Sequence, residues 1–121
     1  MARIQTYTPG EVVGVIADNR GLLLVHFGSP LASSCEFVRK ELEMISPMFA
    51  ERLALAEVEL PLQDVEVLRR YAIEEIPTLI LFRGCEEVER LERILLPEEF
   101  REFVETCLAF YGGNDERQAL E

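Results

Sequence analysis

Blocks of apolar residues along the chain predict strands and helices in alternation. Residues 22–27 form an almost unbroken apolar run between Gly21 and Gly28, which is typical of a central strand covered on both faces. From Cys35 to about Arg52, apolar residues recur at helical spacing. The first half of the chain therefore contains a buried strand followed by a long amphipathic helix.

Shorter elements flank this unit. Thr8 and Glu11 have capping-box spacing and predict a helix that ends near residue 19. Residues 53–60 alternate in a mixed strand pattern that leaves open which face of the strand points inward, and Asp64 can cap a short helix ending around Tyr71.

The second half predicts a hairpin and a final helix. Residues 78–82 and 87–93 are separated by a turn that contains Gly84, which predicts two antiparallel strands. The helix begins at Pro97, carries an apolar stripe and ends at residues 112–113, both glycines.

These elements predict an α/β fold in which a βαβ unit is joined to a ββα unit around one central mixed sheet, flanked by about four helices. We expect one domain over residues 1–113 and a disordered acidic tail over residues 114–121. A chain of 121 residues can bury enough surface to fold without disulfide staples.

Charge and cysteine usage narrow the possible partners. The formal net charge of −11 disfavours nucleic acid, and the glutamates of the second half could either keep the protein in solution or attract a basic partner protein. No apolar run reaches the length of a membrane span, so we expect a cytoplasmic protein that does not bind membranes. Three cysteines without paired spacing predict neither a disulfide framework nor a metal site, and no cofactor is expected.

Three segments carry a resemblance to a known family. They are the Val25-His26-Phe27 strand followed by Cys35 at a helix start, the stretch from Tyr71 to Phe82 containing Ile76-Pro77-Thr78, and residues 97–103. With these, the chain resembles thioredoxin over about residues 8–109. The resemblance implies the thioredoxin fold and a cis peptide bond before Pro77 beside the former active site.

The active-site motif of the family is degenerate in this chain. Where the family has Trp-Cys-Gly-Pro-Cys, this chain has Leu31-Ala32-Ser33-Ser34-Cys35, so Ala32 occupies the attacking position and only the resolving cysteine remains. An alanine methyl group cannot attack a disulfide, so conventional dithiol oxidoreductase activity is not expected.

Two further positions depart from the family. The resemblance places His26 where the family has a buried aspartate and Glu57 where it has a lysine. This leaves two alternatives open: a buried pair whose members simply satisfy each other's hydrogen bonds, or a pair that tunes the protonation of Cys35. The resemblance also places Arg93 where the family has a small glycine in its substrate groove. The remaining apolar lining of that groove would be Leu31, Ile76, Pro77 and Ile94.

Two functions follow from these departures. The first is a redox-inactive module that binds a partner protein or an extended peptide at the former groove, around Ala32, Ser33, Ile76 and Pro77, in an adaptor or chaperone-like role. The alternative is a single-cysteine redox protein that forms mixed disulfides through Cys35. Partner identity and oligomeric state are left open, Cys107 is expected in the core, and Cys85 is expected to be exposed.

Overall fold

A computed structural model of the chain describes residues 4–29, 32–49, 51–60 and 65–112. Among these residues the chain forms a five-stranded sheet and four α-helices. The strands are β1 (Gln5–Tyr7), β2 (Leu22–Gly28), β3 (Ala54–Glu59), β4 (Thr78–Arg83) and β5 (Glu86–Leu91). The helices are α1 (Pro9–Asp18), α2 (Ser33–Phe49), α3 (Val65–Arg70) and α4 (Pro97–Cys107), and a π-helical segment (Leu108–Gly112) continues α4.

The sheet is mixed, with strand order β1-β3-β2-β4-β5. β3 pairs in parallel with both β1 and β2, whereas β4 runs antiparallel to β2 and to β5. The predicted α/β fold is confirmed, including the βαβ unit followed by a hairpin and a helix.

Helices cover both faces of this sheet. Alternate side chains of β2 point to opposite faces, so Leu22 and Leu24 join one apolar cluster with α2 and α4, while Leu23, Val25 and Phe27 join another with α1 and α3. All seven residues of β2 are buried, as the unbroken apolar run predicts. The same alternation directs His26 and Gly28 toward the α2 face.

Local signals set several boundaries. Thr8 caps α1 through a complete capping box, in which its Oγ1 accepts from the Glu11 amide at 3.2 Å and its own amide donates to Glu11 Oε1 at 2.9 Å. Gly84 adopts φ of +62° in the hairpin turn, a conformation that favours glycine.

Some predicted boundaries are wrong. The short strand β1 was not predicted, because its residues lack an apolar alternation and it forms by pairing with residues 56–58 of β3. α2 begins at Ser33, two residues before the predicted start at Cys35, and it ends at Phe49 rather than near residue 52. β5 ends at Leu91, which leaves Arg93 outside the strand. The expected cap Asp64 and the expected tail, residues 114–121, lie outside the described residues.

Candidate functional site

The remaining cysteine of the degenerate motif is buried at the first turn of α2. Cys35 is only 4% exposed, whereas Ser33 is exposed and Ala32 is half-buried. The amide of Ser29, at the end of β2, donates to Cys35 Sγ at 3.3 Å. Leu31, predicted to line the groove, lies outside the described residues. The motif thus presents small side chains outward and keeps its sulfur inside.

A buried histidine and glutamate lie under this sulfur. His26 of β2 is in register with Glu57 of the parallel neighbour β3, so both side chains point to the same face of the sheet. His26 Nδ1 and Glu57 Oε2 are 3.1 Å apart, and the two residues are 1% and 5% exposed. The structure therefore brings together the predicted pair and Cys35.

Gly28 provides the space that lets His26 approach Cys35. A Cβ atom at this position would lie 2.9 Å from His26 Nε2 and 3.0 Å from Cys35 Sγ. The ring nitrogen and the sulfur therefore border the same point, with no side chain between them. His26 Nε2 makes no well-formed hydrogen bond among the described residues, so its interaction with the sulfur is a close electrostatic contact.

These contacts shift the protonation of all three groups. Burial alone would raise the pKa of Cys35, but the adjoining His26, the Ser29 amide and the Ser34 hydroxyl lower it below its ordinary value. Burial alone would likewise lower the pKa of His26, yet interaction with Cys35 and Glu57 raises it. Hydrogen bonding from His26 outweighs burial and lowers the pKa of Glu57, assisted by the charges of His26 and Arg39. The arrangement favours a Cys35 thiolate beside a His26 imidazolium.

A cation from α2 completes the cluster. Arg39 follows Cys35 by one helical turn, and its Nε lies 3.5 Å from Glu57 Oε1. Sequence reasoning missed Arg39, although its spacing of four residues from Cys35 on a predicted helix is a usable signal. It also missed Gly28 and Ser29, whose roles depend on backbone positions that residue types alone do not reveal.

A pocket of about 330 Å³ opens onto this cluster between α2 and β3. His26, Gly28, Cys35 and Glu57 form its inner wall, and charged side chains of α2 and β3 form its rim. None of the predicted groove residues that the structure describes borders this pocket. Cys35 thus has a second side, separate from the former substrate groove.

Four residues that were predicted to line the groove lie in the segments 76–77 and 93–94. The Ile76–Pro77 peptide bond is cis, and Thr78 after it is held by a hydrogen bond from its hydroxyl to the Glu75 carbonyl. Ile76 and Ile94 are 38% and 45% exposed. Arg93 is also exposed, and with Ile94 it borders a shallow depression beside Phe37. These segments therefore present two apolar side chains, Ile76 and Ile94, and the cation Arg93 to solvent.

The other cysteines are remote from this chemistry. Cys107 is buried in the core, where burial, assisted by the charge of Glu89, raises its thiol pKa to about 11. Cys85 is exposed in the hairpin turn. In the described part of the chain, no cluster of three or more metal-ligating side chains occurs, and no helix is long and apolar enough to cross a membrane.

Comparison with known proteins decides the family. Residues 4–106 match the Thioredoxin family model. The chain belongs to the thioredoxin family. Among curated proteins, this thioredoxin-family chain is similar to human Glutaredoxin-3, with 30% identity over 80 residues, and to zebrafish Glutaredoxin 3, with 29% identity over 82 residues.

These alignments cover different shares of the proteins they join. They include 65% and 67% of this chain, respectively, but only 23% and 24% of the relatives. The chain therefore spans about a quarter of the length of the curated relatives that it matches.

Proposed function

We propose that this thioredoxin-family domain is a binding module that holds an extended segment of a partner protein at the former substrate groove and does not exchange disulfides with it. One observation supports this most directly. Ala32 stands at the attacking position, and the sulfur that remains, Cys35, is only 4% exposed. A disulfide within a bound polypeptide would find no accessible thiolate on the groove side.

The chemistry of the groove fits an extended, largely apolar peptide. The cis Ile76–Pro77 bond, the exposed Ile76 and Ile94 side chains and the small residues of the motif lie in segments that the thioredoxin family uses to contact substrate. Arg93 adds one positive charge to this surface, in a protein whose formal net charge is −11. We expect the preferred peptides to be apolar and to carry one carboxylate within reach of Arg93.

Peptide binding measured with groove variants tests this function. Sequences selected from a displayed peptide library would be titrated as fluorescent peptides. Ile94→Asp should weaken their binding by about tenfold or more, because it places a desolvated carboxylate against apolar side chains. Met44→Asp, a matched change at an exposed apolar position of α2, should leave binding unchanged.

Removal of the sulfur separates this function from thiol chemistry. Cys35→Ser should retain peptide affinity, and the wild-type protein should not reduce a protein disulfide in the presence of a thiol reductant. Turnover of a protein disulfide by the wild-type chain, or equal binding by Ile94→Asp, would contradict the proposal.

A second candidate is favoured by the cluster around Cys35. The lowered pKa of this thiol, set by the neighbouring His26, is the property required of a cysteine that forms mixed disulfides. In this case the complexes formed by the protein would be covalent and would disappear in Cys35→Ser. The same variant therefore gives opposite results for the two functions.

A further inference from the structure

The pocket between α2 and β3 has a nucleophile and a proton carrier in its wall. Cys35 and His26 both border it, and His26 Nε2 is a buried ring nitrogen without a hydrogen-bond partner among the described residues. Nε2 and the Cys35 sulfur lie beside the same point at the wall of the cavity, so the ring can exchange a proton with the thiol there. Glu57 fixes the ring from the opposite side through Nδ1.

The charges of the rim limit what can enter. Lys40 pairs with Glu36 at 3.8 Å and Arg39 lies near Glu43 at 3.9 Å, so the two cations of the rim are already neutralised. Glu59 and the buried Glu57 add further carboxylates. The lining therefore carries a net charge of about −2 whether the proton resides on Cys35 or on His26. A ligand bearing carboxylates is repelled, and an uncharged ligand is not.

We infer that this pocket admits small uncharged hydroperoxides to Cys35, and that Cys35, His26 and Glu57 act there as a nucleophile, a proton carrier and the group that orients it. The inference rests on the second candidate function, in which Cys35 reacts, and it is independent of peptide binding at the groove. A cavity of about 330 Å³ accepts a small molecule but not a folded protein.

The reaction balances with the residues present. The thiol proton passes to His26 Nε2, and the thiolate sulfur attacks one peroxide oxygen. An S–O bond forms as the O–O bond breaks, so Cys35 is oxidised by two electrons to a sulfenic acid and the hydroperoxide is reduced. The departing hydroxide or alkoxide takes the proton back from the imidazolium and leaves as water or an alcohol. The Ser29 amide stabilises the thiolate before attack.

Hydrogen peroxide itself is the probe for the chemistry. The native protein would be treated at pH 7 in the presence of dimedone, which traps sulfenic acids, and the labelled peptides would be quantified by mass spectrometry. Cys35 should be labelled at least several-fold faster than the exposed Cys85, and His26→Gln should remove that advantage. Labelling of Cys85 but not Cys35 overturns the inference.

A pair of alkylating reagents tests the route. Neutral iodoacetamide and anionic iodoacetate have nearly the same size, so their rate ratio at Cys35 reports the charge along the access path. Relative to the unfolded chain, native Cys35 should favour the neutral reagent on the order of fivefold. The double change Glu43→Lys and Glu59→Lys should abolish this preference.

A control with the same change in net charge completes the design. Glu102→Lys and Glu105→Lys alter exposed residues of α4 and should leave the preference intact. An unchanged ratio in the pocket variant, or an equal effect of both variants, overturns the pocket route. Groove binding is measured separately with Ile94→Asp, so failure of the pocket and failure of the groove give different results.

Discussion

A single methyl group at Gly28 should separate His26 from Cys35. The Cβ of alanine would lie 2.9 Å from His26 Nε2, 3.1 Å from His26 Cε1 and 3.0 Å from Cys35 Sγ, whereas ordinary contacts begin at about 3.4 Å. None of these atoms is at the end of a flexible exposed side chain, because the ring is held by Glu57 and the sulfur is attached to the first turn of α2. Either the sulfur or the ring must move by roughly half an ångström.

The expected cost follows from overpacking. Forcing an extra methyl group into a packed interior costs about 1–3 kcal/mol, and replacing glycine by alanine in the extended backbone of β2 returns roughly 0.5–1 kcal/mol by restricting the unfolded chain. These two contributions leave a net loss in the free energy of unfolding of about 0–2.5 kcal/mol, and we expect Gly28→Ala to lie near the middle of that range. At a urea dependence of about 1.5 kcal/mol per M, the midpoint of unfolding falls by about 0.8 M.

The assay combines urea unfolding with Cys35 alkylation. Because Gly28→Ala moves the imidazole away from the sulfur, the thiol pKa should rise and alkylation at pH 7 should slow by roughly tenfold, which corresponds to one pKa unit. Gly14→Ala, in α1 with no atom within 4 Å of the added Cβ, is the control and should be stabilising. A Gly28→Ala protein with wild-type stability and unchanged thiol reactivity would refute the reasoning.

Three further changes test the same cluster. Glu57→Gln should lower the free energy of unfolding by about 1–3 kcal/mol and slow the alkylation of Cys35, because the imidazolium of His26 loses its charged partner. Equal alkylation rates in the wild-type and Glu57→Gln proteins would show that Glu57 does not orient His26. The stability advantage of wild type over His26→Gln should decrease toward acidic pH, because the stability contributed by the lowered pKa values of Glu57 and Cys35 is lost as pH falls and these groups become protonated. It should also decrease toward alkaline pH, because the contribution of the raised His26 pKa is fully present below 6.5 and is lost as pH rises. A flat difference in urea midpoint across pH 4–9 contradicts this. Ala32→Cys should create a Cys-x-x-Cys pair that a mild oxidant converts to an intramolecular disulfide, which is detected as a loss of 2 Da and of two titratable thiols. If no disulfide forms, residue 32 lies too far from Cys35 for the two sulfur atoms to bond.

The fold and part of the site were predictable because they depend on residue patterns. The apolar run of β2 and the final helical stripe fix the elements, and the family resemblance aligns His26 with Glu57 across two parallel strands. The cis bond before Pro77 follows from the same resemblance and is present.

Other parts of the site were not predictable, because they depend on distances of a few tenths of an ångström. Burial of Cys35 alone implies a raised pKa, and the positions of the His26 imidazole, the Ser29 amide and the Ser34 hydroxyl around the sulfur reverse that direction. The space above Gly28 and the pocket arise from how α2 packs on β2 and β3, which no local pattern encodes. The residues of β1 likewise do not predict a strand, because β1 forms by pairing with β3.

Among the residues that the structure describes, the pocket that borders Cys35 shares no lining residue with the depression beside Arg93 and Ile94, and this has a practical consequence for protein engineering. In the two proposed functions, peptide recognition would depend on residues 76–77 and 93–94, and thiol reactivity would depend on His26, Glu57 and the rim of the pocket. Because these sets share no member, specificity for a peptide could be selected in a library of groove variants without altering the thiol. A reporter group attached to Cys35 through the pocket would then detect the binding of a peptide at the groove.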